Sequence, residues 1–247
     1  IRTLFNKYEL ILYFRGEDFN LKNRFVRVKA SIKETAEACK RPVASIRLVA
    51  VSKTMPAEVV REALAAGITD LGENYIQEAK EKVNALATAP ATWHFIGHLQ
   101  SNKAKYAVRL FDLIHSVDSF KLAKELDKFA KKNGKIQPIL IQVNVAREDT
   151  KSGVYLEDTV PLLRDVSRLE NISVKGLMTM PPYFNAPEKV RPIFAALREF
   201  RDQIKKEAIP NISMDELSMG MTGDFEAAIE EGATMVRIGT AIFGDRR

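Results

Sequence analysis

A lysine closes an apolar, strand-like run in Leu48-Val49-Ala50-Val51-Ser52-Lys53. At a strand tip an ammonium is partly desolvated, which lowers its pKa and frees the amine to add to a carbonyl and form a Schiff base. A single such lysine more often sits in water, so Lys53 needs partners. They lie near the other end of the chain, in Ser218-Met219-Gly220-Met221-Thr222-Gly223-Asp224 and in Arg237-Ile238-Gly239-Thr240. Glycines let backbone N–H groups approach phosphate oxygens, and the hydroxyls of Ser218 and Thr240 add donors. Arg237 is a cation that could pair a carboxylate, a phosphate or a ring nitrogen, or simply a salt-bridge partner within the fold.

Lys53 and Thr240 are 187 positions apart, so the fold must bring these residues together. Short β-rich runs alternate with helical patterns: Ile46–Val51, Asp70–Leu71, Trp93–Ile96, Leu113–Val117, Ile139–Val145, Val174–Met180, Glu216–Met219 and Met235–Ile238. Helical stretches at 56–66, 74–87, 101–108, 119–132, 157–169, 187–207 and 224–231 separate them. In 119–132, Asp118 or Ser119 can cap the start, Leu122, Leu126, Phe129 and Ala130 form one stripe, and Asn133-Gly134 offers the stop. Eight strands alternating with helices predict an α/β fold, a (β/α)8 TIM-type barrel. A doubly wound open sheet is the competing arrangement. No helix follows the eighth strand, so an opening helix, Phe25 to Lys40, is expected to cover the gap. No linker, repeat or low-complexity tract divides residues 25–247, which read as one domain. Residues 1–24 look different: they hold five of the chain's 20 aromatics without clear periodicity and start at Ile1, and they read as an atypical N-terminal extension.

Composition bounds the function. The net charge of +6 sits in residues 1–47, which hold 11 Lys/Arg against 5 Asp/Glu, while residues 48–247 hold 27 of each. Without a basic face, a nucleic-acid partner is not expected. One cysteine, Cys39, excludes a disulfide framework and a cysteine-built zinc site. It fits a reducing, cytoplasmic location, and no apolar run approaches a membrane span. His94 and His98 are four apart, but Gly97 and a strand at 93–96 deny them a shared helical face, so no metal site is expected. His115, mid-strand, reads as a satisfied core or rim histidine, and Lys103 and Lys151 as rim cations in water.

In a barrel, chemistry belongs at the carboxyl ends of the strands, and the loops after strands seven and eight commonly hold a phosphate. An amine, a phosphate cradle and a cation around one mouth are the parts that would hold pyridoxal 5′-phosphate (PLP), an aldehyde carrying a phosphate.

Several motifs are similar to those of the pyridoxal-phosphate homeostasis protein family. They are Val49-Ala50-Val51-Ser52-Lys53, Gly72-Glu73-Asn74-Tyr75, the run from Trp93 to Lys103, Lys151-Ser152-Gly153, Gly176-Leu177-Met178, Leu217-Ser218-Met219-Gly220-Met221, and the closing run from Val236 to Gly244. The resemblance covers about residue 25 to the end and implies a fold type III barrel related to that of alanine racemase. It further implies that Lys53 holds PLP as an internal aldimine, and that Ser218, Gly239 and Thr240 hold its phosphate. Arg237 would face the pyridine nitrogen, and Asn74 and Met221 would line the pocket.

Two function classes follow. One is a non-catalytic carrier that buffers PLP or delivers it to apo-enzymes; the other is a PLP-dependent racemase or related enzyme. A racemase needs a second acid/base, which alanine racemase presents from an additional domain that 247 residues leave no room for. An arginine at the ring nitrogen also weakens the cofactor as an electron sink. The carrier reading leads, with a monomer favoured and no catalytic residue assigned.

Overall fold

The computed structural model describes residues 20–182 and 186–244. Eight parallel strands, β1 (Arg47–Val51), β2 (Asp70–Glu73), β3 (Thr92–Phe95), β4 (Leu113–Val117), β5 (Gln137–Gln142), β6 (Ile172–Met178), β7 (Ile212–Ser218) and β8 (Met235–Ile238), close into a barrel in sequence order. Closure is direct, because β8 pairs with β1 through Leu48 against Val236 and Ala50 against Ile238. The open sheet is thereby excluded.

Each predicted helix is present within a few residues. The opening helix α1 spans Leu21–Ala38, and the connecting helices are α2 (Ala57–Ala65), α3 (Ile76–Ala85), α4 (Ala104–Leu110), α5 (Phe120–Lys132), α6 (Leu156–Val166), α7 (Arg191–Glu207) and α8 (Phe225–Glu230). A last short helix, α9 (Thr240–Phe243), follows β8. In α5 the capping hydroxyl is that of Ser119, which accepts from the Leu122 N–H, and the buried stripe is Leu122, Ala123, Leu126 and Ala130.

The opening helix begins four residues earlier than expected, because the Asn20 side chain accepts from the Lys22 N–H and caps it at Leu21. The rest of the extension expected at 1–24 lies outside the described residues. The expectation that no helix follows the eighth strand is corrected by α9, but α9 is a single turn, and α1 packs against both α8 and α9 to cover the gap as expected. Arg24 Nε donates to the Ile242 carbonyl at 2.7 Å, and Arg41, just past the helix, donates to the carbonyls of Ile229 and Ala233 at 2.6 and 2.8 Å. These charge-assisted bonds to backbone fix the helix over the β8–β1 seam.

The strands are largely apolar where they meet the covering helices, as a fully covered parallel sheet demands, and carry some buried polar residues, His94, His115, Ser218 and Arg237 among them. Ile114, Ile139, Ile141, Leu177 and Leu217 are fully buried. At one point the barrel closes too tightly for any side chain. A Cβ at Gly176 would lie 1.8 Å from the Glu216 carbonyl oxygen on β7. No helix among the described residues is long and apolar enough to cross a membrane.

Candidate functional site

At the carboxyl ends of the strands a cavity of about 260 Å³ opens between the tips of β1, β2, β7 and β8. Its wall is made by Lys53 and Asn74 from the first two loops, by Met221, Thr222, Gly223 and Asp224 from the loop after β7, and by Arg237, Gly239 and Thr240 from β8 and its end. Six of the seven residues expected from sequence therefore meet in one place. The seventh, Ser218, does not line the cavity. Its side chain is fully buried inside the barrel, where the hydroxyl accepts from Arg237 Nη1 at 2.7 Å and lies 2.9 Å from His115 Nδ1. The phosphate role expected for Ser218 meets a hydroxyl that, at the last position of β7, is already engaged inside the barrel.

The residue that sequence reasoning passed over is Thr222. Its hydroxyl accepts from Thr240 Oγ1 at 3.3 Å, so two threonine hydroxyls flank the backbone at Gly223 and Gly239. Space for a Cβ at Gly223 is open. The signal was available, since Thr222 sits in the same glycine-punctuated loop.

Lys53 is set on a braced loop. Lys82, on α3, is buried and donates to the Ser52 carbonyl at 2.6 Å, to Glu73 Oε1 at 2.7 Å and to Glu78 Oε1 at 2.6 Å. Ser52 Oγ donates to the same Glu73 oxygen at 2.6 Å, and the Thr54 N–H donates to Glu78. Both neighbours of Lys53 are therefore held, and Thr54 takes a left-handed φ of 67° to make its contact. Burial pushes the Glu73 carboxyl above its usual range, against the opposing pull of Lys82 and Ser52. Glu73 Oε2 and Asn74 Oδ1 are buried without a hydrogen-bond partner among the described residues.

Arg237 is 3% exposed, and burial lowers its pKa to about 10 although the charge of Asp224 opposes this. Nη2 donates to the Thr179 carbonyl at 2.9 Å. Asp224 in turn accepts from the Met221 N–H at 2.6 Å, and burial raises its pKa.

His94 and His115 lie in the barrel interior rather than at the mouth. His94 Nδ1 is 2.9 Å from His115 Nε2, and His94 Nε2 is 3.0 Å from Asp70 Oδ1 at the opposite end of the barrel. His98 faces outward, 3.1 Å from Ser152 Oγ, so the two histidines spaced four apart do not meet. Lys103 lines a neighbouring open cleft with Lys80 and Gln100, which Asn74 connects to the cavity.

The family described as alanine racemase, N-terminal domain, matches residues 27–247. A pyridoxal phosphate homeostasis protein from Aquifex aeolicus is 47% identical over 228 residues, 92% of this chain and 99% of that one. The chain belongs to the pyridoxal phosphate homeostasis protein family. A solved member, PipY of Synechococcus elongatus with PLP bound, superposes with a TM-score of 0.80 at 36% identity, covering 91% of this chain and 100% of that one. Alanine racemase of Clostridium difficile superposes at 0.70 with 17% identity, covering 92% of this chain and 60% of that one, and shows the shared barrel only. The homeostasis-family motif residues Lys53, Asn74, Met221, Gly239 and Thr240 all converge on the one cavity.

Proposed function

We propose that this protein binds PLP in the cavity at the barrel mouth and serves PLP homeostasis, holding the cofactor for buffering or delivery rather than turning over a substrate. The observation that carries the reading is the convergence of Lys53, the Thr222–Thr240 cradle and Arg237 on one cavity of about 260 Å³. The residues suit the group. Asn74 presents a buried amide oxygen without a partner, a defect that costs about 1–3 kcal/mol until a ligand satisfies it. PipY, which shares the fold and 36% identity, has been solved with PLP bound.

When bound, PLP supplies an aldehyde able to condense reversibly with a primary amine. Lys53 supplies that amine from a loop braced on both sides. Thr222, Thr240 and the backbone of Gly239 hold the phosphate, Met221 packs in the wall, and Arg237 presents a cation to the ring. Arg237 does not donate a titrating proton near neutral pH, so it stabilises charge rather than moving protons.

The titratable groups among the described cavity-lining residues are Lys53, Asp224 and Arg237. Asp224 is engaged with the Met221 backbone, which leaves Lys53 without the opposed acid/base that racemisation requires. This supports a carrier. Release of the cofactor to an apo-enzyme, the expected fate, is tested by loading the protein with PLP, mixing it with an apo PLP enzyme and following recovered activity of the recipient. Transfer is expected. Failure to retain PLP through gel filtration would overturn the binding reading, and retention without any transfer would overturn delivery.

A further inference from the structure

Five polar groups run in single file through the barrel interior. Arg237 Nη1 donates to Ser218 Oγ, Ser218 Oγ meets His115 Nδ1, His115 Nε2 meets His94 Nδ1, and His94 Nε2 meets Asp70 Oδ1, at 2.7, 2.9, 2.9 and 3.0 Å. Ser218, His115 and His94 are essentially inaccessible to solvent. The far end is anchored: Thr69 Oγ1 donates to Asp70 Oδ2 at 2.7 Å, and Arg47 Nε lies 3.8 Å from Oδ1.

The two ends fix the direction of every proton between them. Guanidinium only donates, and an ionised carboxylate only accepts. Burial would raise the pKa of Asp70, but the hydrogen bonds from His94 and Thr69, with nearby positive charge, hold it below the usual range. His94 must therefore carry its proton on Nε2. Where each ring carries a single proton, His94 Nδ1 then accepts from His115 Nε2–H, and His115 Nδ1 accepts from the Ser218 hydroxyl. The Ser218 lone pairs are left facing Arg237. Burial, and then the charges of His94, Arg237 and Arg47, keep His115 well below its ordinary pKa, in keeping with a single proton on that ring.

We propose that Asp70, His94, His115 and Ser218 are positioning residues, a one-way hydrogen-bonded relay that holds the Arg237 guanidinium in the cavity wall from the opposite end of the barrel. The aligned donors offset the burial of the Arg237 charge, which has no carboxylate within hydrogen-bonding contact among the described residues. They also fix Nη1 while Nη2 is fixed by Thr179, so the guanidinium plane is set before any ligand arrives. Its effect on the ligand rests on the PLP-binding reading; the relay itself does not.

Two measurements test it. In the protein without PLP, nitrogen-15 NMR of the histidine side chains should find His94 and His115 both protonated at Nε2 and bare at Nδ1. A proton on His115 Nδ1 would overturn the relay whatever ligand the protein binds. The second is Ser218→Ala, which cuts the relay beside Arg237. It should weaken retention of PLP and of unphosphorylated pyridoxal equally, by about three- to tenfold, the loss of roughly one hydrogen bond. A loss confined to PLP would return Ser218 to the phosphate, and no loss for either ligand would show that Arg237 needs no support; both overturn the proposal. Should the unaltered protein hold neither ligand, the cofactor reading fails and the NMR result alone decides the relay.

Discussion

Thr222 and Thr240 differ from Ser218 in which way the chain turns them: the two threonines line the cavity, and the serine hydroxyl is engaged inside the barrel. Replacing Thr240 or Thr222 by Val should weaken PLP retention by roughly ten- to a hundredfold, as expected for one charge-assisted bond of about 1.5–3 kcal/mol, and leave pyridoxal nearly unaffected. Equilibrium dialysis with both ligands checks this; equal losses would place the phosphate elsewhere. The sequence carried the residue types of the cavity well, because Lys53, Asn74, Met221, Arg237, Gly239 and Thr240 stand at strand ends or in the loops beyond them. It did not carry side-chain direction at the last residue of a strand. Ser218 lies within the strand expected at Glu216–Met219 as well as within β7, and an apolar pattern does not say to which face that strand turns it. His115 yields a pH prediction with a definite sign. Burial depresses its folded-state pKa below the ordinary 6.5, so its contribution to stability is present above that value and lost as pH falls. The melting temperature should therefore drop as pH is lowered from about 6.5, more steeply than in His115→Gln, which cannot titrate. Parallel curves would show that His115 does not carry the effect.

Strands and helices were legible because an eight-strand parallel barrel leaves a simple trace, apolar runs of four to seven residues separated by amphipathic segments. The errors are at the ends and have local causes. Strand β5 starts at Gln137 rather than Ile139, and the buried Gln137 Nε2 donates to the carbonyls of Phe111, Asp112 and Pro138, which offsets its entry into the core. The brace under Lys53 was not legible at all. Lys82 sits on a helix face where a lysine ordinarily reaches water, and only the fold shows it saturated by Ser52, Glu73 and Glu78. Removing one member of a buried pair leaves an uncompensated charge, so Lys82→Met should destabilise the protein by about 3–5 kcal/mol in urea unfolding. Adding Glu73→Gln should recover part of that loss, because the stranded carboxylate is then neutral. A single variant with unchanged stability would mean that the pair contributes nothing. The β6–β7 pairing offers a sharper case, for Gly176→Ala drives a Cβ into the Glu216 carbonyl and should reduce soluble folded protein severely, well beyond the ~1 kcal/mol of a typical substitution.

Taken as one object, the molecule joins two networks at a single cavity: a charged brace that positions an amine on one side, and a relay from the far end of the barrel that positions a cation on the other. Both are preorganised by buried hydrogen bonds, which suits tight and orderly retention of a small phosphorylated aldehyde. Neither supplies the opposed acid and base of a racemase. Incubated with L-alanine in D2O, the PLP-loaded protein is expected to give no D-isomer at rates near ~1 s⁻¹, the low end of ordinary enzymes. Turnover at that rate would restore the enzymatic reading. The most direct test of the account is where the cofactor attaches. The protein should be loaded with PLP, reduced with borohydride, digested and mapped by mass spectrometry. The account predicts the pyridoxyl group on Lys53, and a Lys53→Ala variant that takes up no label. A label borne instead by Lys82, Lys103 or Lys151, with Lys53 unmodified, would contradict it.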